Sequence, residues 1–368
     1  MERVTIAVFP GDGIGPEVTG QARAVLALCA EQYGLQLEFV EGLIGGGAID
    51  RDGTALPEAS LALAKSSDAV LLGAVGGPKW DNPQSTVRPE QALLGLRRHL
   101  ELFANLRPIV AHPALIAAAP LKRELLEGVD ILFVRELTGG VYFGQPSQRR
   151  LGPGGREAVD TTVYSEGEVA RVTRLAFQLA ERRRRHVTQV DKANILATSR
   201  LWREVTHEIA AEFPDVTCED VLVDAMSMHL LRRPRDFDVV VTENMFGDIL
   251  TDEASVLTGS LGMLPSASVG AALNRHGGRI GLYEPIHGSA PDIAGRDLAN
   301  PLGAILSGAL LLDFSLGQGK AARSIEAAVG RVLDTGLRTA DVRQDGCTVV
   351  GCEAMGEAVR RELARGAA

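Results

Sequence analysis

Asp248 and Asp252 stand four residues apart in TENMFGDILTDEAS, Thr242 to Ser255. The apolar run FDVVV, Phe237 to Val241, precedes them and predicts a buried strand. Ile249, Leu250, Ala254 and Val256 then recur at roughly helical spacing, which predicts that a helix takes over near Gly247. On a helix the two carboxylates share one face and repel each other unless a cation lies between them. An all-oxygen site of this kind suits Mg²⁺ or Mn²⁺. The same pair also fits an acidic helix N-terminus, where negative side chains are favoured without a metal. A third acid, Asp224, lies in the apolar segment VLVDAMSM, Val221 to Met228, and needs a partner there. Asp224, Asp248 and Asp252 together would complete a carboxylate set for one divalent cation.

Three arginines lie beside apolar residues rather than in charged runs: Arg97 in RPEQALLGLRR, Arg107 in FANLRPIV and Arg135 at the end of the apolar run Ile131 to Val134. Singly, each reads as a snorkelling side chain or an ion-pair partner. Together they would clamp a di- or tricarboxylate, because the guanidinium fork meets a carboxylate with two parallel hydrogen bonds. Tyr142 follows Arg135 beyond a glycine turn. Lys192 follows the strand pattern His186 to Val190 and precedes Ala193, Ile195 and Leu196. Desolvation there, or a neighbouring cation, would lower its pKa and suit it to proton transfer; a solvated lysine is the plainer reading.

The elements that must hold these groups alternate. Strand patterns at Val4 to Phe9, Phe39 to Leu43 and Ala69 to Leu72 are separated by helical patterns, the first running to about Ala30 and another spanning Pro57 to Lys65. That alternation predicts an α/β protein with a mainly parallel sheet and ligand loops at the carboxyl ends of its strands. The turn PGDGIGPEV, Pro10 to Val18, is not the dinucleotide fingerprint: Gly11, Gly13 and Gly15 are spaced two and two, and Pro16 follows. Gln148 to Asp160 reads as an exposed turn, hairpin or arm. Ser260 to Ser268 and Tyr283 to Pro301 lack convincing periodicity and read as functional loops. The second supplies His287, able to pack on an adenine, Asp292, able to accept from ribose hydroxyls, and Asn300.

With 368 residues the chain is long enough for two or three domains. Its formal charge of -9 argues against a nucleic-acid binder, while a local arginine cluster still suits an anionic small molecule. Four cysteines in no metal-ligand spacing, no signal-peptide pattern and no apolar run long enough for a bilayer lead to the expectation of a soluble protein of a reducing cytosol.

Read end to end, the chain resembles the β-decarboxylating dehydrogenases, the family of the isopropylmalate and isocitrate dehydrogenases. GDGIGPE, GGPKWD, RPEQALLGLR, FANLRP, VRELTGGVYFG, VDKANIL, TENMFGDILTDEAS, LPSAS and EPIHGSAPDIAG occur in order. The resemblance implies a two-domain fold that is not a classical Rossmann fold. Residues 1–102 and 255–368 would form the first, mostly cofactor-binding domain. Residues 103–254 would form the second, with the dimer interface and a protruding arm near 145–165.

It further implies Tyr142, Lys192 and Asp224 as catalytic residues, and Asp224, Asp248 and Asp252 as ligands of Mg²⁺ or Mn²⁺, Asp224 coming from the partner subunit. Substrate would be met by Glu90, Leu93, Leu94, Arg97, Arg107, Arg135 and Ile195. NAD would be met by Gly262, Glu284, His287, Gly288, Ser289, Ala290, Asp292, Ile293 and Asn300. Family members are dimers, so the expected partner is a second copy sharing its active site, with no nucleic acid or membrane involved. Asp292 would repel the extra phosphate of NADP. Leu93 and Leu94 would wall a branched alkyl group while Glu90 repels a third carboxylate. The expected substrate is therefore 3-isopropylmalate, in leucine biosynthesis, with homoisocitrate, D-malate or tartrate as alternatives.

Overall fold

The computed structural model describes residues 3–82 and 85–366. In chain order the strands are β1 (Val4–Gly11), β2 (Leu37–Glu41), β3 (Ala69–Ala74), β4 (Leu102–Val110), β5 (Asp130–Glu136), β6 (Gln148–Gly152), β7 (Gly155–Val159), β8 (His186–Asp191), β9 (Thr217–Leu222), β10 (Val239–Thr242), β11 (Pro265–Leu273), β12 (Arg279–Pro285), β13 (Leu337–Arg338) and β14 (Thr348–Val349). The helices are α1 (Gly15–Gln32), α2 (Gly46–Asp52), α3 (Glu58–Ser66), α4 (Glu90–His99), α5 (Arg123–Leu126), α6 (Glu166–Ala180), α7 (Ala197–Ala210), α8 (Val223–Arg232), α9 (Asn244–Ser255), α10 (Leu302–Phe314), α11 (Gly319–Asp334) and α12 (Cys352–Gly366).

The chain divides into two compact units. Unit 1 is Met1–Leu102, His112–Pro120 and Thr258–Ala368; unit 2 is Phe103–Ala111 and Leu121–Leu257. The short return of His112–Pro120 to unit 1 was not foreseen from the sequence. Arg338 holds that segment: its guanidinium donates to the Ala114 carbonyl at 2.6 Å and to the Leu333 and Leu337 carbonyls at 2.7 Å.

In unit 1 the strands lie in the order β2-β1-β3-β12-β11, parallel except for β11, which runs antiparallel to β12. Every residue of β3 is buried, as expected for a parallel strand covered on both faces. Phe9, Ile44, Leu72, Leu96 and Leu282 form a core beneath α4. Helix α10 packs against α1, α11 and β12 and is buried on nearly every side, which explains why its sequence is apolar without a polar stripe.

In unit 2 the order is β4-β5-β10-β8-β9, parallel except for β4. Helix α6 starts with a reciprocal capping box between Ser165 and Glu168 and packs on α7. The segment read as a turn, hairpin or arm is the antiparallel hairpin β6–β7.

Two local expectations are corrected. Helix α9 begins at Asn244, not near Gly247, because the Glu243 carboxylate caps it by accepting the Phe246 N–H at 2.7 Å. The stretches read as loops are partly strand: Pro265–Ser268 opens β11 and Tyr283–Pro285 closes β12. Their prolines hid a paired register in which Ala267 and Tyr283 face each other, fully buried.

The turn after β1 is held by a buried carboxylate. Asp12 accepts the backbone N–H of Gly46 at 2.8 Å, Gly47 at 3.0 Å and Gly76 at 2.9 Å, so one side chain ties the ends of β1 and β3 to the start of α2. Replacing Asp12 by Ala leaves three donors without this acceptor, at roughly 1–3 kcal/mol for each one that stays dry. Urea melts should show Asp12→Ala less stable by at least about 3 kcal/mol and Asp12→Asn by less; equal stability of all three proteins would rule out the anchoring role.

Candidate active site

In both units the groups singled out from the sequence gather at the carboxyl ends of the parallel strands, where an open α/β sheet binds its ligands. In unit 2, Arg135 is the penultimate residue of β5, Lys192 follows β8, Asp224 follows β9, and Asn244 opens α9 after β10. Arg107 lies on β4, two places along the ladder from Arg135, which pairs with Asn105.

Arg107 and Arg135 are both almost fully buried, 6% and 4% exposed, and they converge on one carboxylate. Asp248 Oδ1 accepts from Arg135 Nη1 and lies 3.4 Å from Arg107 Nη2. Its other oxygen accepts from Tyr142 Oη at 3.0 Å. Arg107 also donates to Thr251 Oγ1 at 2.5 Å and Asn105 Oδ1 at 2.6 Å, and its Nη1 lies 3.9 Å from Asp252. The Arg135 guanidinium sits over the Tyr142 ring, 5.8 Å from its centroid. Burial, and then the Asp248 charge, push the Tyr142 phenol above its ordinary pKa, so it keeps its proton at neutral pH. Partial burial followed by repulsion from Asp248 pushes the Asp252 carboxyl upward as well, while Arg107 and Arg135 pull it back. Asp248 and Asp252 thus form an all-oxygen pair whose repulsion the two arginines only partly offset, which fits a hard divalent cation.

Lys192 and Asp224 make a separate pair, Nζ to Oδ1 at 2.5 Å. Hydrogen bonding to Lys192 holds the Asp224 carboxyl below its usual range. The apolar setting expected for Asp224 is not found: its side chain is 63% exposed on the first turn of α8, and its partner is the lysine. Behind Lys192, Asp191 accepts the Ala193 N–H at 2.8 Å and Arg203 Nε and Nη2, at 2.9 and 2.8 Å, which fixes the backbone turn. Ile195, in the same turn, is 66% exposed.

Asp224, Asp248 and Asp252 do not come together within one chain. Among the described residues, the group of three ligand atoms lying within 4.8 Å of one another is Glu17, Asp297 and Cys352. Backbone N–H groups already engage both of its carboxylates, Gly295 on Glu17 at 2.5 Å and Glu353 on Asp297 at 2.8 Å. Burial and the surrounding acids push the Cys352 thiol up to about 12, which leaves it protonated and a poor ligand.

In unit 1, Glu90, Leu93, Leu94 and Arg97 follow one another at helical spacing along one face of α4. Glu90 and Leu94 are exposed, Leu93 packs partly onto the unit 1 core, and Arg97 donates to Glu284 Oε1 at 2.8 Å in a largely buried ion pair. His287 donates from Nδ1 to the Gly288 carbonyl at 2.9 Å, while its Nε2 is buried with no partner among the described residues. Burial lowers the His287 pKa, so the ring is neutral. An orphaned ring nitrogen beside the open backbone of Gly288 fits a nucleobase edge. Ser289 is fixed from below: its carbonyl accepts the Ile14 N–H at 2.8 Å, and a Cβ on Gly13, whose φ is +59°, would lie 2.0 Å from that oxygen. Ala290 follows, and Asp292 and Ile293 lie in a turn closed by the Ile293 N–H on the Ala290 carbonyl, with Asp292 exposed. Asn300 donates to Asp341 Oδ2 at 3.1 Å and caps Leu302, while Ser260 donates to the same Asp341 oxygen at 2.5 Å and accepts the Gly262 N–H at 3.0 Å.

The sequence reading missed Asp12, Asn244, Tyr164, Glu243 and Asp341 as supports. Asp12 between glycines and Asn244 just ahead of a helix carried a local signal; Tyr164 and Asp341 carried none.

The family pattern of isocitrate/isopropylmalate dehydrogenase matches residues 5–359. The chain belongs to the isocitrate/isopropylmalate dehydrogenase family. It is 55% identical over 360 residues to the 3-isopropylmalate dehydrogenase of Geobacillus kaustophilus, covering 98% of this chain and 95% of that one. Among solved structures, isocitrate dehydrogenase from Methylococcus capsulatus superposes with a TM-score of 0.84 at 35% identity, over 98% of this chain and 99% of that one. A β-decarboxylating dehydrogenase from Thermococcus kodakarensis superposes with a TM-score of 0.78 at 35% identity, over 98% and 96%. The two-domain α/β fold is that of the family, and the protein is an oxidoreductase. At the level of the family, the reaction is NAD-dependent oxidative decarboxylation of a 2-hydroxy diacid. Among the described residues, no helix is long and apolar enough to cross a membrane.

The Glu243 carboxyl, 7% exposed, accepts from Phe246 N–H and, at 3.1 Å, from Tyr164 Oη, yet burial raises its pKa above 4.5. A raised folded-state value means that its contribution to stability is full below the unfolded value and is lost as pH rises through the folded one. Glu243→Gln removes that dependence. As pH rises past the ordinary carboxylate range the wild-type Tm should therefore fall relative to the variant's; parallel curves would show that the ionised carboxylate carries no folding cost.

Proposed function

We propose that the protein oxidises 3-isopropylmalate with NAD and releases CO2 to give 4-methyl-2-oxopentanoate, a step of leucine biosynthesis, as a homodimer using Mg²⁺ or Mn²⁺. The observation that carries the substrate choice is the face of α4. It presents a carboxylate at Glu90, which repels a third substrate carboxylate, and apolar surface at Leu93 and Leu94, which suits an isopropyl group. Burying such a group is worth roughly 1.5–3 kcal/mol, by comparison with a valine or leucine side chain. Relatives over 50% identical that carry the name 3-isopropylmalate dehydrogenase support the same choice. NAD rather than NADP is favoured by Asp292, an exposed carboxylate able to accept from ribose hydroxyls and repel a phosphate.

Asp224, Asp248 and Asp252 are the residues to hold the cation, and Gly262, Glu284, His287 to Ala290, Asp292, Ile293 and Asn300 those to hold NAD. When bound, the cation supplies Lewis acidity at the substrate oxygens and NAD supplies the hydride acceptor. Arg97, Arg107 and Arg135 bind and orient the malate carboxylates, whose negative charge replaces the carboxylates these arginines now meet. Lys192, oriented by Asp224, takes the proton of the C2 hydroxyl as C2 gives up its hydride. The carbon–carbon bond to the β-carboxylate then breaks and its electron pair moves toward the new ketone oxygen. Tyr142, which keeps its phenolic proton, delivers a proton to the carbon that lost CO2. Lys192, Ile195 and Asp224 serve the site of a second copy; the exposed apolar side chains Ile195, Met228, Leu231 and Ile249 of unit 2 support a surface for that copy.

NADH formation with Mg²⁺ should occur with 3-isopropylmalate and NAD and not with isocitrate, homoisocitrate, D-malate or tartrate. Turnover of an unbranched acid instead would keep the chemistry and discard the α4 pocket. In partial reactions, Tyr142→Phe should slow decarboxylation more than oxidation, whereas Lys192→Met should impair both; an equal loss of the two steps in Tyr142→Phe would remove the tyrosine from its role.

A further inference from the structure

Arg135 is a buried cation that meets the Asp248 carboxylate at Nη1 and is held at its other two nitrogens by one neutral residue. Asn244, 1% exposed, accepts from Arg135 Nη2 at 2.8 Å and from Nε at 3.2 Å through the same carboxamide oxygen. Its Nδ2 donates to the Gly139 carbonyl at 3.2 Å, so the amide cannot turn over without setting an NH2 group against the guanidinium. Its backbone N–H donates to Tyr164 Oη at 3.0 Å, and Tyr164 in turn donates to Glu243. The arginine stem lies across α9 at Gly247, where a Cβ would fall 2.7 Å from Arg135 Cγ and 2.9 Å from its Cβ. Asn244 and Gly247, one helical turn apart, thus make a seat: the glycine admits the stem and the asparagine orients the head. Gly139 precedes the short turn Gly140–Tyr142, so the same carboxamide also braces the segment carrying Tyr142.

We infer that Asn244 is a positioning residue for the diacid substrate, acting through Arg135, and that its neutrality is the functional point. An aspartate of the same shape would accept the same two N–H groups but would set a second carboxylate on the arginine beside Asp248, weakening its attraction for an anionic substrate. A carboxamide fixes the geometry and adds no second negative charge to that of Asp248. This inference rests on the proposed binding of a substrate carboxylate by Arg135.

The test compares steady-state kinetics of wild type, Asn244→Asp and Asn244→Ala with 3-isopropylmalate, NAD and Mg²⁺, together with thermal melts. Asn244→Asp should raise KM for 3-isopropylmalate tenfold or more while KM for NAD stays within twofold. Asn244→Ala should raise the same KM and also lower kcat, because the Tyr142 segment loses its brace. A merely structural role would lower Tm and the active fraction, hence apparent kcat, with KM for the diacid unchanged in Asn244→Asp; that result overturns the inference and leaves the proposed function standing. A wild-type protein that turns over neither 3-isopropylmalate nor any other of the diacids would overturn the proposed function and this inference with it.

Discussion

Two guanidinium groups held out of water govern unit 2. A buried charge is tolerated only if its hydrogen-bonding capacity is met nearly in full. Arg107 and Arg135 meet that demand with Asn105, Thr251, Asn244 and Asp248, drawn from β4 and from successive turns of α9. The position of α9 is thereby tied to two neighbouring strands, and its carboxylates are delivered next to the arginines. Asp248 is shared by both cations and by Tyr142, so the groups proposed for binding, metal ligation and proton transfer are one hydrogen-bonded set.

The supports behind this set are mostly neutral. Asn105, Thr251, Asn244 and Tyr164 orient charged groups without neutralising them. Glu243 is the exception, and burial opposes its ionisation. Of the groups in direct contact with the arginines, Asp248 is the shared carboxylate and the others named are neutral, so less of their charge is cancelled than in an all-ionic network. Lys192 is paired with Asp224 instead, on an exposed rim beside Ile195.

Unit 1 solves another problem, the alignment of backbone. Its loops after β1, β3 and β12 are rich in glycine and expose N–H and C=O groups that must be anchored without bulk. Asp12 anchors three N–H groups, and Asp341 gathers Ser260 and Asn300. The Ser289 carbonyl is pinned against the turn at Gly13. The result is a set of loops anchored from beneath, with His287 Nε2 left without a partner among the described residues.

By itself, the sequence determined the class of fold and the chemical types at the site. Strand–helix alternation and apolar periodicity are local properties, so an α/β architecture was legible, as were the paired acids of α9 and the arginine beside its strand end. The ordered motifs also identified the family. What the sequence could not decide was partnership. That Asp224 meets Lys192, that Asp248 serves Arg107, Arg135 and Tyr142 together, and that Arg97 pairs with Glu284 are outcomes of strand order, and strand order joins residues up to 187 positions apart. Tyr164 and Asp341 bore no local mark of importance because their role exists only in contact with segments about 80 residues away. Side-chain chemistry is written residue by residue, whereas the charge and hydrogen-bond balance that makes it usable is set by which strands lie side by side.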